Sequence, residues 1–260
     1  MFVSVIIPSH QLNEYLIECL KSIENQNYPH YEVIVVSDNS VEVIDYVGKK
    51  YPHFNVLNTL YEGNGVSKAR NLGADNAKGE LLIFIDSDCT TPYNLIQTYV
   101  ENYVKNHLLI GGIVGCDAKG EKIICEDMRD IFLLDRNSNE SIINRWWFSD
   151  ISWALHHTLN FYTANVGLDR NDFLEGFRFN ENLLGFEDIY YAIEHYSLYE
   201  NIKYIDTFVK HLEPVNNWRE DKSQYNYKIF KKMVEDNYPQ MLNCEHYNIM
   251  IDMLEKGINL

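Results

Sequence analysis

Four places in the 260-residue chain put acidic or polar side chains where a run of apolar residues stops or starts. VSVIIP (3–8) runs into Pro8-Ser9-His10, YEVIVVSD (31–38) into Ser37-Asp38-Asn39-Ser40, and ELLIFIDSD (80–88) into Asp86-Ser87-Asp88. Glu187-Asp188 opens the helical pattern Ile189, Ala192, Ile193, Tyr196. A strand needs no carboxylate at its end in order to fold, and open parallel sheets bind ligands outside the carboxyl ends of their strands. Asp38 or Asp86 alone could simply cap a turn or a helix; the set points to a site. Asp86 and Asp88 lie two apart, so on an extended segment they share a face, and two close carboxylates repel unless a cation offsets them. Hard divalent ions such as Mg²⁺ or Mn²⁺ take oxygen ligands and bridge a carboxylate to a diphosphate. At the start of a helix, one of the pair Glu187-Asp188 is accounted for by the helix dipole.

These residues need elements to position them. VSVIIP, YEVIVVSD, FNVLNTL (54–60) and ELLIFIDSD read as strands, the first two buried on both faces. Leu12, Tyr15, Leu16, Cys19, Leu20 and Ile23 are spaced for one helix face, and helices are also expected over 41–50, 66–77 and 93–106. LLIGGIVG (108–115) and KYIDTFVKHL (203–212) read as further strands, with an irregular stretch from about 117 to 160 between them. Strands alternating with helices imply right-handed crossovers and a mostly parallel sheet covered on both faces. After Pro214 the chain is polar and helical. The expected organisation is one α/β domain over 1–213, in two halves (1–106 and 107–213), then a helical tail over 214–260.

Composition limits the partners. With 22 basic against 38 acidic side chains the net charge is −16, which repels phosphate backbones and anionic membranes and argues against nucleic acid. Five cysteines, at 19, 89, 116, 125 and 244, form no C-x-x-C pair, so reduced thiols in a cytoplasmic protein are the simplest account. No stretch reads as a signal peptide or an integral membrane span. Aromatic residues make up 13% of the chain, with 19 Tyr and 4 Trp, which suits sugar or base recognition and equally suits core filling.

VSVIIPSH, VVSDNS, GNGVSKARNLGADNAKGELLIFIDSDC and NENLLGFEDIYYAIE together resemble family 2 glycosyltransferases of the GT-A (nucleotide-diphosphosugar transferase) fold, over roughly residues 1 to 212. The resemblance implies a Rossmann-like, mostly parallel sheet flanked by helices, here with a C-terminal helical extension. It implies that Pro8, Ser9 and His10 line the nucleobase pocket and that Asp38 bonds the uracil edge. Asn64, Lys68 and Arg70 would reach the nucleotide, with Arg70 the best charged contact; a salt bridge across the sheet rim is its other reading. Asp86 would contact the ribose with Ser87 beside it, and Asn165 would lie under the donor sugar. Asp88 and His211 would hold a Mn²⁺ or Mg²⁺ ion, although a lone His is more often a surface or packing residue. Asp188 would be the general base and Glu187 its support.

The implied reaction is a single displacement with inversion, from a UDP-sugar to a glycan, lipid-linked, small-molecule or peptide acceptor. Arg145-Trp146-Trp147-Phe148 could wall the acceptor or the donor sugar, or anchor an irregular segment, and Phe186 would stand near the acceptor. A homodimer through the tail is one use of its apolar stripes. The other classes considered are a nucleotidyltransferase, which would show a glycine-rich basic loop after the first strand, and a non-catalytic binding protein of the same fold. A dehydrogenase or methyltransferase fails because no G-x-G-x-x-G follows that strand.

Overall fold

The computed structural model describes residues 1–60, 65–115, 161–199, 201–212 and 220–256. In chain order these form β1 (Val3–Ser9), α1 (Glu14–Glu24), β2 (Tyr31–Ser37), α2 (Val41–Lys50), β3 (Asn55–Asn58), α3 (Val66–Asn76), β4 (Leu81–Phe84), β5 (Cys89–Thr90) and α4 (Leu95–Asn102). β6 (Leu108–Gly115), β7 (Val166–Asp169), α5 (Arg170–Glu175), α6 (Glu187–Tyr199), β8 (Ile202–His211), α7 (Glu220–Asn237) and α8 (Glu245–Glu255) follow.

The strands make one sheet in the order β3-β2-β1-β4-β7-β6-β8-β5. β1 is parallel to β2 and β4, β2 to β3, and β6 to β8, whereas β7 runs antiparallel to both β4 and β6, and β5 antiparallel to β8. Two reversals restore the direction, so β3, β2, β1, β4, β6 and β8 all point the same way and the expected mostly parallel α/β architecture is present. β7 was not expected from the sequence. It is a four-residue strand containing Gly167, too short to show a period.

Alternation along the buried strands divides the core. Val3, Val5, Ile7, Val33 and Val35 join one cluster with Leu16, Leu20 and Ile23 of α1, Val43 and Val47 of α2, and Leu95, Ile96 and Tyr99 of α4. Ile6, Ile34 and Val36 face the other way and pack with Ala69 and Ala74 of α3, Phe173 of α5 and Tyr191 and Ala192 of α6. A third cluster unites Leu183, Ile189, Tyr190 and Ile193 with Tyr227, Phe230 and Val234 of α7 and Tyr247, Ile251 and Leu254 of α8. Helix starts are fixed locally: the Asn13 side chain accepts from Leu16 N (2.9 Å) at α1, and Ser40 Oγ accepts from Val43 N (3.4 Å) at α2.

β1 and β4 part near their carboxyl ends. Ile6 O accepts from Ile85 N at 3.1 Å and Ser9 O accepts from Asp38 N at 2.8 Å, so even-numbered residues of β1 turn their backbone toward β4 and odd-numbered ones toward β2. The β1–β4 ladder ends at the Ile6–Phe84 pair, and Pro8, which has no N–H to give, faces the β4 side just beyond it.

α3 lies close over β1 and β2 because residue 73 lacks a side chain. A Cβ there would sit 2.5 Å from Ile6 Cγ2 and 3.2 Å from Val36 Cγ2, both on strands buried on two faces. Valine recovers little helix propensity over glycine, so overlap decides the sign. Gly73→Val is expected to destabilise the protein by about 1–3 kcal/mol in urea unfolding; a variant as stable as the parent would show that α3 does not need this close approach.

Candidate active site

The motif residues gather at the carboxyl ends of β1, β2 and β4 and the start of α6. β4 stops at Phe84, and the chain turns, with Cys89 N donating to Asp86 O at 3.1 Å. The extended Asp-x-Asp geometry expected from the sequence is therefore corrected: the turn sends the two carboxylates to different partners. Asp86 Oδ1 meets Arg70 Nη2 at 2.8 Å, and Asp88 Oδ2 meets His211 Nε2 at 3.3 Å.

Arg70 is the electrostatic centre. It projects from α3, is 3% exposed, and its second nitrogen, Nη1, donates to Glu187 Oε1 at 2.7 Å. Its guanidinium also lies 5.6 Å from the centroid of the Phe179 ring. Burial opposes the charge, but Asp86 and Glu187 more than offset it and hold the guanidinium more firmly protonated than usual. Its two terminal nitrogens serve two protein carboxylates, the rim salt bridge that was its other reading.

Glu187 and Asp188 begin α6 as the sequence indicated. Glu187 is buried against Arg70, whereas Asp188 keeps partial exposure and accepts from Ile189 N at 2.8 Å. Desolvation, and then the adjacent Glu187 charge, raise the Asp188 carboxyl to about 7, with Arg70 pulling the other way. A carboxyl poised there can take up and release a proton near neutral pH. Phe186, expected near an acceptor, stacks on Phe230 of α7 with centroids 5.2 Å apart and planes at 24°. It therefore belongs at least partly to the third core cluster.

The Asp88–His211 pair arises because β5 runs antiparallel to β8 with Cys89 opposite His211. One carboxylate oxygen, the His211 ring and the Cys89 thiol all lie within 4.8 Å of one another. The 3.3 Å between Asp88 Oδ2 and His211 Nε2 is a gap that two metal–ligand bonds of about 2.1 Å can span. Oxygen plus imidazole nitrogen suits a hard or borderline divalent ion, so the residues fit a metal.

Asp38 sits between β2 and α3, where Oδ1 accepts from Thr59 Oγ1 and Oδ2 from Gly65 N, both at 2.9 Å. Each oxygen keeps a lone pair for a ligand. Pro8 and Ser9 are buried at the end of β1, with Ser9 Oγ donating to Gln11 O at 3.0 Å, and His10 is exposed beside them. Lys68 and Ser87 are half-buried, on α3 and in the β4–β5 turn.

Asn165 lies deeper in the protein. It is fully buried, accepting from Tyr99 OH at 2.9 Å and donating to Gly112 O at 2.8 Å and Thr207 O at 3.3 Å. In the structure it knits β6, β8 and α4 together. Asn64, Trp146 and Trp147 lie outside the described residues. Sequence reasoning overlooked Thr59, which orients Asp38, and Cys89, although Cys89 directly follows Asp88.

Among the described residues no helix is long and apolar enough to cross a membrane. Among curated proteins the chain is similar to the glycosyltransferase GlyG of Streptococcus pneumoniae serotype 4, with 28% identity over 163 residues, 59% of this chain and 54% of that protein. It is similar to the poly(ribitol-phosphate) beta-glucosyltransferase of Bacillus spizizenii, with 34% identity over 145 residues, 52% of this chain and 23% of that protein. The chain thus spans about half the length of the first relative and about a quarter of the second.

Two solved structures share the fold. Residues 1-349 of S. aureus TarS in complex with UDP-GlcNAc superpose with a TM-score of 0.61 at 19% identity, over 86% of this chain and 65% of that one. The mannosyltransferase PcManGT from Pyrobaculum calidifontis, in complex with GDP-Man and Mn²⁺, gives 0.62 at 17% identity, over 95% of this chain and 68% of that one. At these identities the likeness establishes the GT-A architecture alone. The family description "Glycosyl transferase family 2" matches residues 4–200, and the chain belongs to that family.

Proposed function

We propose that this protein transfers a sugar, with inversion, from a nucleotide-diphosphosugar to a hydroxyl or similar nucleophile on an acceptor. The observation that carries the reading is the gathering, at one rim, of Asp188 raised toward neutrality and the Asp88–His211 pair. UDP-sugars are the favoured donors; TarS is seen with UDP-GlcNAc, and PcManGT with GDP-Man and Mn²⁺. The acceptor is a glycan, lipid-linked, small-molecule or peptide nucleophile, and the reading treats 1–213 as the catalytic domain.

Asp88 and His211 would hold a divalent cation, and when bound that ion offsets charge on the departing diphosphate. Asp38, through its free lone pairs, would accept from the base. Glu187, fixed by Arg70, supports Asp188 and raises its basicity by proximity of like charge. Asp188 takes the proton from the acceptor as it attacks the anomeric carbon. A nucleotidyltransferase is disfavoured because the first loop, Ser9 to Asn13, has no glycine.

Thermal-shift measurement with UDP, GDP and their sugars, with and without Mn²⁺, tests the donor and metal together. Stabilisation that needs both ligands and is lost in Asp88→Asn supports the site; indifference to every nucleotide overturns it. Asp188→Asn is expected to keep donor binding and to lose transfer by at least about 10²-fold, and normal transfer by that variant would remove Asp188 as the base.

The pH dependence has opposite signs for activity and stability. Asp188 must be ionised to act, so transfer rises through about pH 7 and levels off above it. A carboxyl raised by folding favours the folded state fully below its unfolded value of 3.8, and loses that contribution as pH climbs through about 7. Over that interval Tm should fall more steeply in the parent than in Asp188→Asn, and equal slopes would show that Asp188 is not raised.

A further inference from the structure

The start of α6 is held from outside the sheet. Leu184-Gly185-Phe186 leads into the carboxylate pair with Gly185 at φ 141° and Phe186 at φ 63°. Glycine accepts such a conformation freely. A bulky aromatic residue in the left-handed region is an outlier that persists only where its surroundings over-determine it.

Those surroundings are one face of α7. Asn226, 5% exposed, donates from Nδ2 to Leu184 O at 2.6 Å. Phe230, four residues on and so on the same face, stacks on Phe186 and meets Tyr190 edge-on with centroids 6.5 Å apart. Farther along α7, Asn237 Nδ2 donates to Tyr190 OH at 3.2 Å. Within the strained turn, Tyr190 N donates to Phe186 O at 2.9 Å, closing the first turn of α6 around Glu187 and Asp188. α7 thus grips the chain both before and after the two carboxylates. Asn226 has a small, fixed reach and a directed donor, and its hydrogen bond ends on the backbone, the property of a residue that sets a path and takes no part in chemistry.

We propose that α7 positions the reaction centre and that Asn226 is its positioning residue, holding Phe186 in the left-handed conformation that aims Asp188. The inference rests on the reading of Asp188 as the base. Loss of the clamp lets Phe186 relax toward an ordinary backbone conformation and rotates the entry into α6. Displacements of about 1 Å at a reacting group can cost 10²-fold in rate. None of the clamp contacts falls on β1, β2 or β5, and the rim meets α6 through Arg70, so donor affinity is expected to change less than turnover.

The test uses the full chain and whichever of UDP-glucose, UDP-galactose and UDP-N-acetylglucosamine stabilises it most with Mn²⁺, reading UDP release to water. Asn226→Asp keeps the shape but removes the donor, and Asn226→Ala removes the side chain. Both are expected to lower kcat at least about tenfold with donor KM changed less than about twofold. Hydrogen exchange at the Tyr190 amide should accelerate. Phe186→Gly, which no longer needs holding in that conformation, should make the chain insensitive to Asn226→Asp.

Unchanged kcat in both Asn226 variants, a loss carried by KM, or full additivity with Phe186→Gly would overturn the inference. Asp188→Asn measured alongside separates the two levels. If it releases UDP normally the base reading itself fails, and if none of the three donors binds the UDP-donor reading fails and the assay is repeated with GDP-mannose, reading GDP release. If it is inactive while the Asn226 variants match the parent, only the positioning role is lost.

Discussion

One buried guanidinium organises this molecule. Arg70 reaches from α3 to Asp86 beyond β4 and to Glu187 at the start of α6, residues 101 positions apart in the chain, at 2.8 and 2.7 Å. An arginine enclosed to this degree needs partners for its charge, and its fork supplies a fixed geometry to each. The rim beyond β4 and the helix carrying the acidic pair are thereby tied through a single side chain. Three carboxylates, Asp86, Glu187 and Asp188, surround this cation, which makes direct ion pairs with two of them. Asp188 is left beside a like charge in a desolvated place, and its raised proton affinity follows from that imbalance.

The fold was legible wherever local pattern decides it. Continuous β-branched runs marked β1 and β2, amphipathic spacing marked α1, and β6 and β8 lie within a residue of the limits read from LLIGGIVG and KYIDTFVKHL. β7 was illegible because four residues carry no period and its antiparallel place between β4 and β6 is fixed by partners distant in sequence. β4 is shorter than its apolar run because Ile85, although buried, already leads into the Asp86–Cys89 turn.

The site was legible as a set of residues more than as a set of contacts. Asp86, Asp88, Glu187, Asp188 and His211 stand out by type and place, and the structure brings them to one end of the sheet. Arg70 and Asn165 show what one dimension hides. Arg70 serves the protein's own carboxylates, and Asn165 lies in the core with both ends of its amide bonded. The clamp from α7 had no local signal, since Asn226 and Leu184 are 42 residues apart and Asn is unremarkable on a polar helix. The net charge of −16 also gains a local meaning, because the buried Arg70 is engaged by Asp86 and Glu187, and on the proposed reading a divalent cation would supply the counter-charge to a diphosphate.

The most direct test of Arg70 as the tie is a double-mutant cycle read by urea unfolding of the parent, Arg70→Met, Glu187→Gln and the double variant. Arg70→Met alone, which strands two carboxylates, should cost about 3–5 kcal/mol. The double variant should be more stable than the sum of the single losses allows, with a coupling energy of about 0.5–3 kcal/mol. Losses that add to within about 0.5 kcal/mol would contradict the account, since the two side chains would then not depend on each other.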